Sequence, residues 1–249
     1  MISVIITYYN QSEMLEKQIK IWSSYSQEIK EKLEFIIIDD ASKKTAQDVL
    51  LNMIHNKFDF NFLNIKLYRI NEDIYCNIPG AMNLGSKVAN YRWFLHLDMD
   101  HYFDNDNINK LLKIVLNEDD LTNVYKFNRD VRNFPHMLAK NPTGFKFHPK
   151  LCLISSDCYW NIGGFDEDFC GHYGLTDTAF YTRGMGKYKM NFLDEVLLII
   201  DDKGDAPGID RTKQDRNKKL LAEKVKFNSW STNILRFEWK KIDINFKTS

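Results

Sequence analysis

The chain is organised around one segment, residues 90–101, which reads NYRWFLHLDMDH. Its aromatic and aliphatic run ends at Leu97, and such a short apolar run is typical of a buried strand. Asp98 and Asp100 follow, and residues two apart on a strand point the same way. Open α/β sheets bind ligands at the carboxyl ends of their strands, so this pair predicts a site for Mg²⁺ or Mn²⁺. A bare Asp-x-Asp is common, and an acidic surface turn is the alternative.

The composition is that of a soluble globular protein with a substantial core, because 44% of the 249 residues are hydrophobic and 27% are charged. Lys plus Arg equals Asp plus Glu, 34 each, which gives no electrostatic case for nucleic acid. The four cysteines form no CxxC pair. Neither a signal peptide nor a membrane-spanning run is visible, and we expect a cytoplasmic protein with reduced thiols.

Strand and helix patterns alternate along the first hundred residues. Such alternation predicts an α/β fold with a mostly parallel central sheet, right-handed crossovers and flanking helices. The predicted strands are 2–7, 33–38, 64–69 and 93–97, and the predicted helices begin near Ser12 and cover 45–55 and 80–89. Further on, we predict helices at 108–117, 177–184 and 216–226, with strands at 123–128, 151–155 and 196–200.

Six short motifs, in this order, resemble those of the GT-A glycosyltransferases, most closely family 2. They are Thr7-Tyr8-Tyr9-Asn10, residues 35–42, Asn71 with residues 80–85, residues 95–100, residues 162–167 and residues 173–183. The resemblance covers about residues 1–200 and implies a GT-A (Rossmann-like) fold. It implies one domain at 1–215, with a nucleotide-sugar-binding half at 1–104 and an acceptor-side half at 105–215, followed by a helical and aromatic tail at 216–249.

The resemblance also implies a divalent ion, Mn²⁺ or Mg²⁺, that bridges the donor diphosphate. Asp98 and Asp100 are the expected ligands, with Asp100 the more direct one. Many family members place a histidine after the last core strand, but this chain has Asp201-Asp202 there. We therefore predict Asp202 as a further ligand, with a surface turn as the alternative. The polar segment 201–215 is expected to close over the donor.

Donor recognition is implied for seven further residues. Asp39, at the end of the second strand, is expected to accept the N3–H of uracil. Contacts to the base, ribose or diphosphate are expected from Thr7, Tyr8, Asn10, Asn71, Asn83 and Arg183. Packing is the alternative for Tyr8, and turn formation or capping is the alternative for Asn71 and Asn83. For Arg183 the alternative is an ion pair with a carboxylate on the helix.

Asp177 occupies the position of the family's catalytic base and is expected to deprotonate an acceptor hydroxyl in an inverting transfer. Thr176 stands where the family usually has Glu, which leaves the acceptor contacts open. A helix cap is the alternative role for Asp177, and His172 is the competing base.

The resemblance thus predicts a metal-dependent transfer of a sugar, from a UDP-sugar above all, to a glycan or other hydroxyl acceptor. The first rival is a catalytically silent nucleotide-sugar-binding module. A sugar nucleotidyltransferase is a weaker rival, because residues 8–11 replace the Gly-rich loop of those enzymes. The aromatic and basic tail could touch a membrane surface or a partner, and packing on its own domain is favoured.

Overall fold

The computed structural model describes residues 1–140, 143–200, 209–210 and 212–244. Within them the strands are β1 Ile2–Tyr8, β2 Leu33–Asp40, β3 Ile65–Ile70, β4 Trp93–Leu97, β5 His101–Tyr102, β6 Asn123–Asp130, β7 Phe145–Phe147, β8 Cys152–Ser155, β9 Lys189–Ile200 and β10 Trp239–Ile242. The helices are α1 Ser12–Ser24, α2 Gln27–Lys30, α3 Ala46–His55, α4 Ile78–Val88, α5 Asn105–Asn117, α6 Pro135–Leu138, α7 Ser156–Ile162, α8 Thr176–Arg183 and α9 Asp215–Phe227, with a 3-10 turn at Glu167–Phe169.

The described strands form one sheet in the order β10-β3-β2-β1-β4-β8-β6-β9-β5, with β7 paired to β6. Neighbours from β3 to β4 are parallel, as predicted, and β6 runs parallel to β9. The pairs β10–β3, β4–β8, β6–β8, β6–β7 and β5–β9 are antiparallel. The predicted α/β sheet is therefore confirmed, and its parallel character is concentrated in the first hundred residues.

Two apolar layers cover the sheet, one on each face. Side chains alternate along a strand, so the Val4 and Ile6 side chains join one layer while that of Ile5 joins the other. Helices α1, α3 and α5 pack on the first face, where Trp22 stacks on Phe35 with ring centroids 4.3 Å apart. Helices α4, α7 and α8 pack on the second face. The sheet is thus buried on both sides, which fits its Ile-rich strands.

Local signals explain most helix starts. Thr45 caps α3 through a capping box with Asp48, and Asp104 caps α5 by accepting from Asn107 N. Helix α4 begins two residues before its predicted start, because Pro79 is tolerated in a first turn. Among the described residues, no helix combines the length and the apolar composition that crossing a bilayer requires.

The segment after residue 215, which the sequence set apart as a tail, contributes to the same sheet through β10. Asn71 N donates to Glu238 O, and the Phe237 ring packs in the second apolar layer. A Cβ atom at Gly80 would lie 2.3 Å from that ring, so glycine permits this close approach. Packing on the domain was the favoured role for the tail, and the described part of it packs there. The half boundary at 104 and the boundary at 215 remain predictions.

Candidate active site

A cavity of about 700 Å³ opens at the carboxyl ends of β1, β2 and β4. Asp98 and Asp100 contribute to its lining, here called the first wall, and the loop that leads into α8 contributes a second wall with His172 and Asp177. Other residues of the lining are Thr7, Tyr9, Asp40, Arg129, His148 and Lys150. The first wall follows the carboxyl ends of parallel strands, where ligand sites of α/β sheets are expected.

Asp98 carries the densest set of charged contacts in this wall. Its carboxylate accepts a hydrogen bond from the Lys150 ammonium, and His148 Nε2 lies 3.6 Å from its Oδ2 atom. Burial alone would raise the pKa of Asp98, but the positive charge of Lys150, the largest of the opposing effects, and its hydrogen bond lower it to about 2. Asp98 is therefore an ionised carboxylate at neutral pH.

The turn after Asp98 is held by side chains from other elements. Gln18 on α1 donates to Met99 O and His101 O at 2.9 and 2.7 Å. His101 Nδ1 lies 2.6 Å from Asp100 Oδ1, so the two neighbours form a close pair. His101 is buried, whereas the Asp100 side chain is 29% exposed and faces the cavity.

These residues fit a divalent ion. Among the described residues, the ligand atoms of Asp98, His101 and His148 lie within 4.8 Å of one another. Carboxylate oxygen and imidazole nitrogen are ordinary ligands of Mn²⁺ and its neighbours in the first transition row. The sequence did not single out the two histidines. The adjacency of His101 to the Asp-x-Asp motif was an available signal, but His148 is distant in sequence and carried none. The predicted ligand Asp202 lies outside the described residues.

Asp177 lies in the first turn of α8 and lines the cavity, half-buried. The cap position of this helix is occupied by Leu175, in a left-handed conformation with φ of 64°, and no side chain caps the helix. The alternative role of Asp177 as a helix cap therefore does not apply. His172 is exposed on the same wall, so both candidate bases face the cavity.

The dipeptide 39–40 corrects the prediction for uracil recognition. The Asp39 carboxylate accepts from Ser42 N and Ala46 N, each at 2.9 Å, and its side chain is almost fully buried. Arg69 Nη1 also donates to it at 2.8 Å, and Asp39 is not part of the cavity wall. Asp40 lines the cavity instead, because successive side chains of a strand point in opposite directions.

Burial raises the pKa of Asp40 to about 7. A hydrogen bond from Asn77 Nδ2 at 3.1 Å opposes this rise, while the nearby Asp73 and Asp39 add to it. Asp40 therefore titrates close to neutral pH, unlike an ordinary aspartate.

Five other predicted donor contacts have structural partners away from the cavity. Tyr8 is buried and its hydroxyl donates to Lys44 O at 2.8 Å, so packing, the alternative, applies to it. Asn10 Oδ1 accepts from Lys43 N at 2.9 Å, and Asn71 is exposed at the edge of the β10 pairing.

Of the two remaining residues, Asn83 is fully buried and Arg183 donates to Gly163 O at 3.0 Å. Of the three donor contacts predicted at the end of β1, Thr7 lines the cavity. Tyr9, which was not predicted as a contact, also lines it.

Asn83 joins α4 to the segment after α7. Its Oδ1 atom accepts from Tyr159 Oη at 2.6 Å and from Phe165 N at 2.9 Å. Its Nδ2 atom donates to Phe165 O and to Glu167 Oε1. With these bonds inside the protein, Asn83 joins α4 to α7 and to the segment that follows it.

The acidic run Asp166-Glu167-Asp168, here called the acid clamp, is bound by the C-terminal segment. Lys224 Nζ lies 2.9 Å from Asp166 and 2.7 Å from Asp168, and the lysine is buried. Glu167 accepts from the backbone N–H groups of Leu235 and Arg236. The clamp is therefore a structural junction, and it ties α9 and the chain after it to the 3-10 turn.

Asn217 on α9 fixes the loop that precedes Asp177. It is fully buried, and its Nδ2 atom donates to Gly174 O at 2.8 Å and His172 O at 3.1 Å. The position of the second wall thus depends on a helix that the sequence had assigned to a separate tail.

The sheet order, with an Asp-x-Asp pair after its fourth strand, defines the class of GT-A glycosyltransferase folds. The sequence model of "Glycosyl transferase family 2" matches residues 3–187, and the chain belongs to this family. The resemblance read from the six motifs is therefore confirmed.

Two solved structures share the fold. Mannosyltransferase PcManGT from Pyrobaculum calidifontis, in complex with GDP-Man and Mn²⁺, is 19% identical with a TM-score of 0.61, over 82% of this chain and 58% of that one. S. aureus TarS 1-349 in complex with UDP-GlcNAc is 14% identical with a TM-score of 0.62, over 93% of this chain and 68% of that one.

A curated relative matches over a shorter stretch. Poly-beta-1,6-N-acetyl-D-glucosamine synthase from Staphylococcus epidermidis is 31% identical over 105 residues, which is 42% of this chain. The match spans 23% of that protein, so the chain corresponds to less than a quarter of its length.

Proposed function

We propose that the protein transfers a sugar from a nucleotide sugar to an acceptor hydroxyl, with a divalent ion on the diphosphate and inversion at the anomeric carbon. The observation that carries the proposal is one cavity lined by two carboxylates from different elements, Asp98 after β4 and Asp177 in α8. Membership of family 2 and relatives described with UDP-GlcNAc, or with GDP-Man and Mn²⁺, support the donor class.

Diphosphate departure requires positive charge on the strand-side wall. Asp98 and Asp100, with His101 beside them, are the described residues that would hold the metal there. When bound, a divalent ion neutralises the charge that develops on the leaving diphosphate. Lys150 and Arg129 line the same wall and bring two further cationic groups to the phosphates.

We assign recognition of the base to Asp40, since the Asp39 carboxylate has hydrogen-bond partners inside the protein. As a carboxylate, Asp40 accepts the N3–H of uracil, which a cytosine base does not offer. Tyr9 lines the cavity beside it and presents an aromatic surface to a base or sugar. A uridine nucleotide is therefore the donor that this side of the cavity favours.

Acceptor activation falls to Asp177, which lines the cavity from the first turn of α8. A carboxylate there takes the proton of the acceptor hydroxyl as the hydroxyl oxygen bonds to the anomeric carbon. The bond from that carbon to the diphosphate breaks on the opposite face, so the configuration inverts. General-base assistance of this kind is worth about 10²- to 10⁴-fold in rate.

The direct test is turnover of nucleotide sugars, followed by release of nucleoside diphosphate with Mn²⁺ and with EDTA. We expect slow hydrolysis of a UDP-sugar in Mn²⁺, because water replaces the missing acceptor. Thermal shift with the same ligands identifies the preferred donor, since a ligand that binds only the folded state raises its stability. Binding without any turnover, even with a broad panel of hydroxyl acceptors, would favour the silent binding module.

A further inference from the structure

Lys126 on β6 is a buried cation that does not belong to the cavity lining. The residue is 4% exposed, and its ammonium group has three N–H donors. All three have acceptors, which are Pro149 O at 2.6 Å, Leu151 O at 3.1 Å and the Tyr181 hydroxyl oxygen at 2.8 Å. Burial of a charge is costly unless such partners compensate it. These three bonds are therefore what keeps a charged lysine at this position.

The bonds hold one stretch of backbone, residues 149–151. Tyr181 Oη donates in turn to Lys150 O at 3.2 Å, so Lys126 and Tyr181 together satisfy three consecutive carbonyl groups. The amide groups of residues 150 and 151 both donate to His148 Nδ1 at 3.1 Å. Every backbone donor and acceptor of this stretch thus has a partner, which fixes its position.

The same two side chains connect this stretch to α8. Lys150 lines the cavity, and its ammonium contacts the Asp98 carboxylate. Tyr181 lies on α8, four residues after Asp177, and side chains at that spacing lie on the same face of a helix. The bond from Lys126 to Tyr181 therefore joins the helix that carries Asp177 to the backbone that carries Lys150.

We infer that Lys126 and Tyr181 are positioning residues for the proposed sugar transfer. They hold α8 and the stretch 149–151 in one fixed arrangement, so that Asp177 is in place for a donor whose diphosphate lies near Lys150. Neither Lys126 nor Tyr181 lines the cavity, so both act through the residues that do. The inference rests on the proposed function and adds the support that its two sides share.

The protonation state of Lys126 makes this support sensitive to pH. Burial lowers the pKa of Lys126 to about 8, while Cys152 on β8 and Asp177 on α8 oppose this effect and the charge of Lys150 adds to it. Loss of the proton leaves two N–H donors for three oxygen atoms. Burial raises the pKa of both Cys152 and Tyr181, so these neighbours keep their protons where Lys126 loses its own.

Turnover and stability should respond to alkaline pH in opposite directions. A lysine whose pKa is lowered on folding destabilises the folded state while it is charged, and this cost is lost as the pH rises from about 8 to the ordinary value of 10.5. Relative to Lys126→Met, the unsubstituted protein should therefore gain stability over that range. Its turnover should fall there, because the neutral amine no longer holds all three oxygen atoms. A lysine with a structural role alone would change stability and leave turnover unchanged.

The test measures turnover of a UDP-sugar in Mn²⁺ by Tyr181→Phe, which removes one hydroxyl group. Its kcat should fall about tenfold, since a small misplacement of reacting groups is costly. The Kd of UDP should stay within about threefold, because Lys126 still holds Pro149 O and Leu151 O. Tyr188→Phe is the matched control, since the Tyr188 hydroxyl donates to Tyr181 O in α8 at 3.3 Å. Its kcat should stay within about threefold of the original.

The pH profile of kcat adds a readout that a loss of stability would not produce. In the unsubstituted protein, kcat should fall about tenfold between about pH 7 and about pH 10. Tyr181→Phe should lack this decline, because the two N–H groups of a neutral Lys126 suffice for the two remaining carbonyls. Lys126→Met should lack it as well, with kcat lowered about 10²-fold at every pH. Chemical denaturation identifies any variant that fails to fold, and Tyr181→Phe carries the test if Lys126→Met does.

The outcomes separate this inference from the proposed function. Normal kcat in folded Tyr181→Phe would overturn the positioning role, and so would equal losses in Tyr181→Phe and Tyr188→Phe. An alkaline decline that persists unchanged in Tyr181→Phe would overturn it too. Each of these results leaves the proposed sugar transfer intact. An unsubstituted protein that turns over no nucleotide sugar would refute the proposed function, and the positioning role with it.

Discussion

Two acidic segments of similar composition have different surroundings. Asp98 and Asp100 line the cavity, whereas the acid clamp, Asp166-Glu167-Asp168, is covered by Lys224 and by backbone N–H groups of the C-terminal segment. The number of carboxylates is similar, so composition does not distinguish the two segments. The difference is access: cavity carboxylates can exchange partners with a ligand, while those of the clamp already have fixed partners. Substitutions should therefore change function at the first segment and stability at the second.

The largest effect is expected at Asp177, in the part of the cavity lining that α8 contributes. Asp177→Asn keeps the shape of the side chain and removes the basic oxygen, so turnover should fall by about 10²- to 10⁴-fold. Donor affinity and melting temperature should change little, because Asp177 does not cap α8. Steady-state turnover and calorimetry of the same preparation check both parts. Near-normal turnover would mean that another group takes the proton, and His172→Gln would be the next variant to measure.

A substitution in the contacts of the acid clamp should lower the free energy of unfolding. Lys224→Met removes a buried cation and leaves the buried Asp166 unpaired, which typically costs about 3–5 kcal/mol of unfolding free energy. Chemical denaturation measures this loss. Lys218→Met is the matched control on the same helix, because Lys218 pairs with Asp215 at the surface. Such exposed pairs contribute at most about 1 kcal/mol. Equal losses in the two variants would contradict the structural role of the clamp.

The neighbours Asp39 and Asp40 show the same contrast, because Asp39 has fixed partners inside the protein and Asp40 lines the cavity. The pH dependence of ligand binding tests the role of Asp40. With a pKa of about 7, Asp40 is protonated in acid and gains its acceptor form as the pH rises. Affinity for uridine, which has no phosphate to titrate, should therefore rise about tenfold from about pH 6 to about pH 8. Calorimetry of Asp40→Asn should show no such rise. A parallel rise in that variant would assign the titration to another group.

The same pKa shift has a consequence for stability. A carboxyl group whose pKa is raised on folding favours the folded state at acidic pH, and this contribution is lost as the pH rises through about 7. Denaturation of Asp40→Asn should accordingly depend less on pH between about 5 and 8 than that of the unsubstituted protein. Identical pH profiles would indicate that Asp40 is not buried in solution.

The parallel half of the sheet was predictable because its strands are continuous apolar runs. Residues 33–38 contain three consecutive isoleucines, and the observed β2 extends them by only two residues. The short strands β5 and β7 were not predicted, because pairs of two or three residues leave no periodic pattern. The strand β10 was not predicted either, since its pairing with β3 joins residues far apart in sequence.

The site was predictable where a motif and the strand register coincide. Asp98 lies in the cavity wall for that reason, and Asp177, on a helix, was found from its motif alone. Asp39 was chosen over Asp40 although only one of the two side chains can face the cavity. Register decides that choice, and a boundary error of one residue reverses it. Lys150 and His148 could not be predicted, because the sheet brings them to Asp98 from about fifty residues away.

The central claim is that this cavity binds a nucleoside diphosphate through a divalent ion held at Asp98. The most direct measurement is calorimetric titration of UDP in Mn²⁺ and in EDTA, with the unsubstituted protein and with Asp98→Asn. Binding in Mn²⁺ should weaken at least about tenfold in EDTA, and Asp98→Asn should show the weaker binding in both conditions. Equal UDP affinity in Mn²⁺ and EDTA would contradict the claim, and would mean that Lys150 and Arg129 hold the diphosphate without a metal.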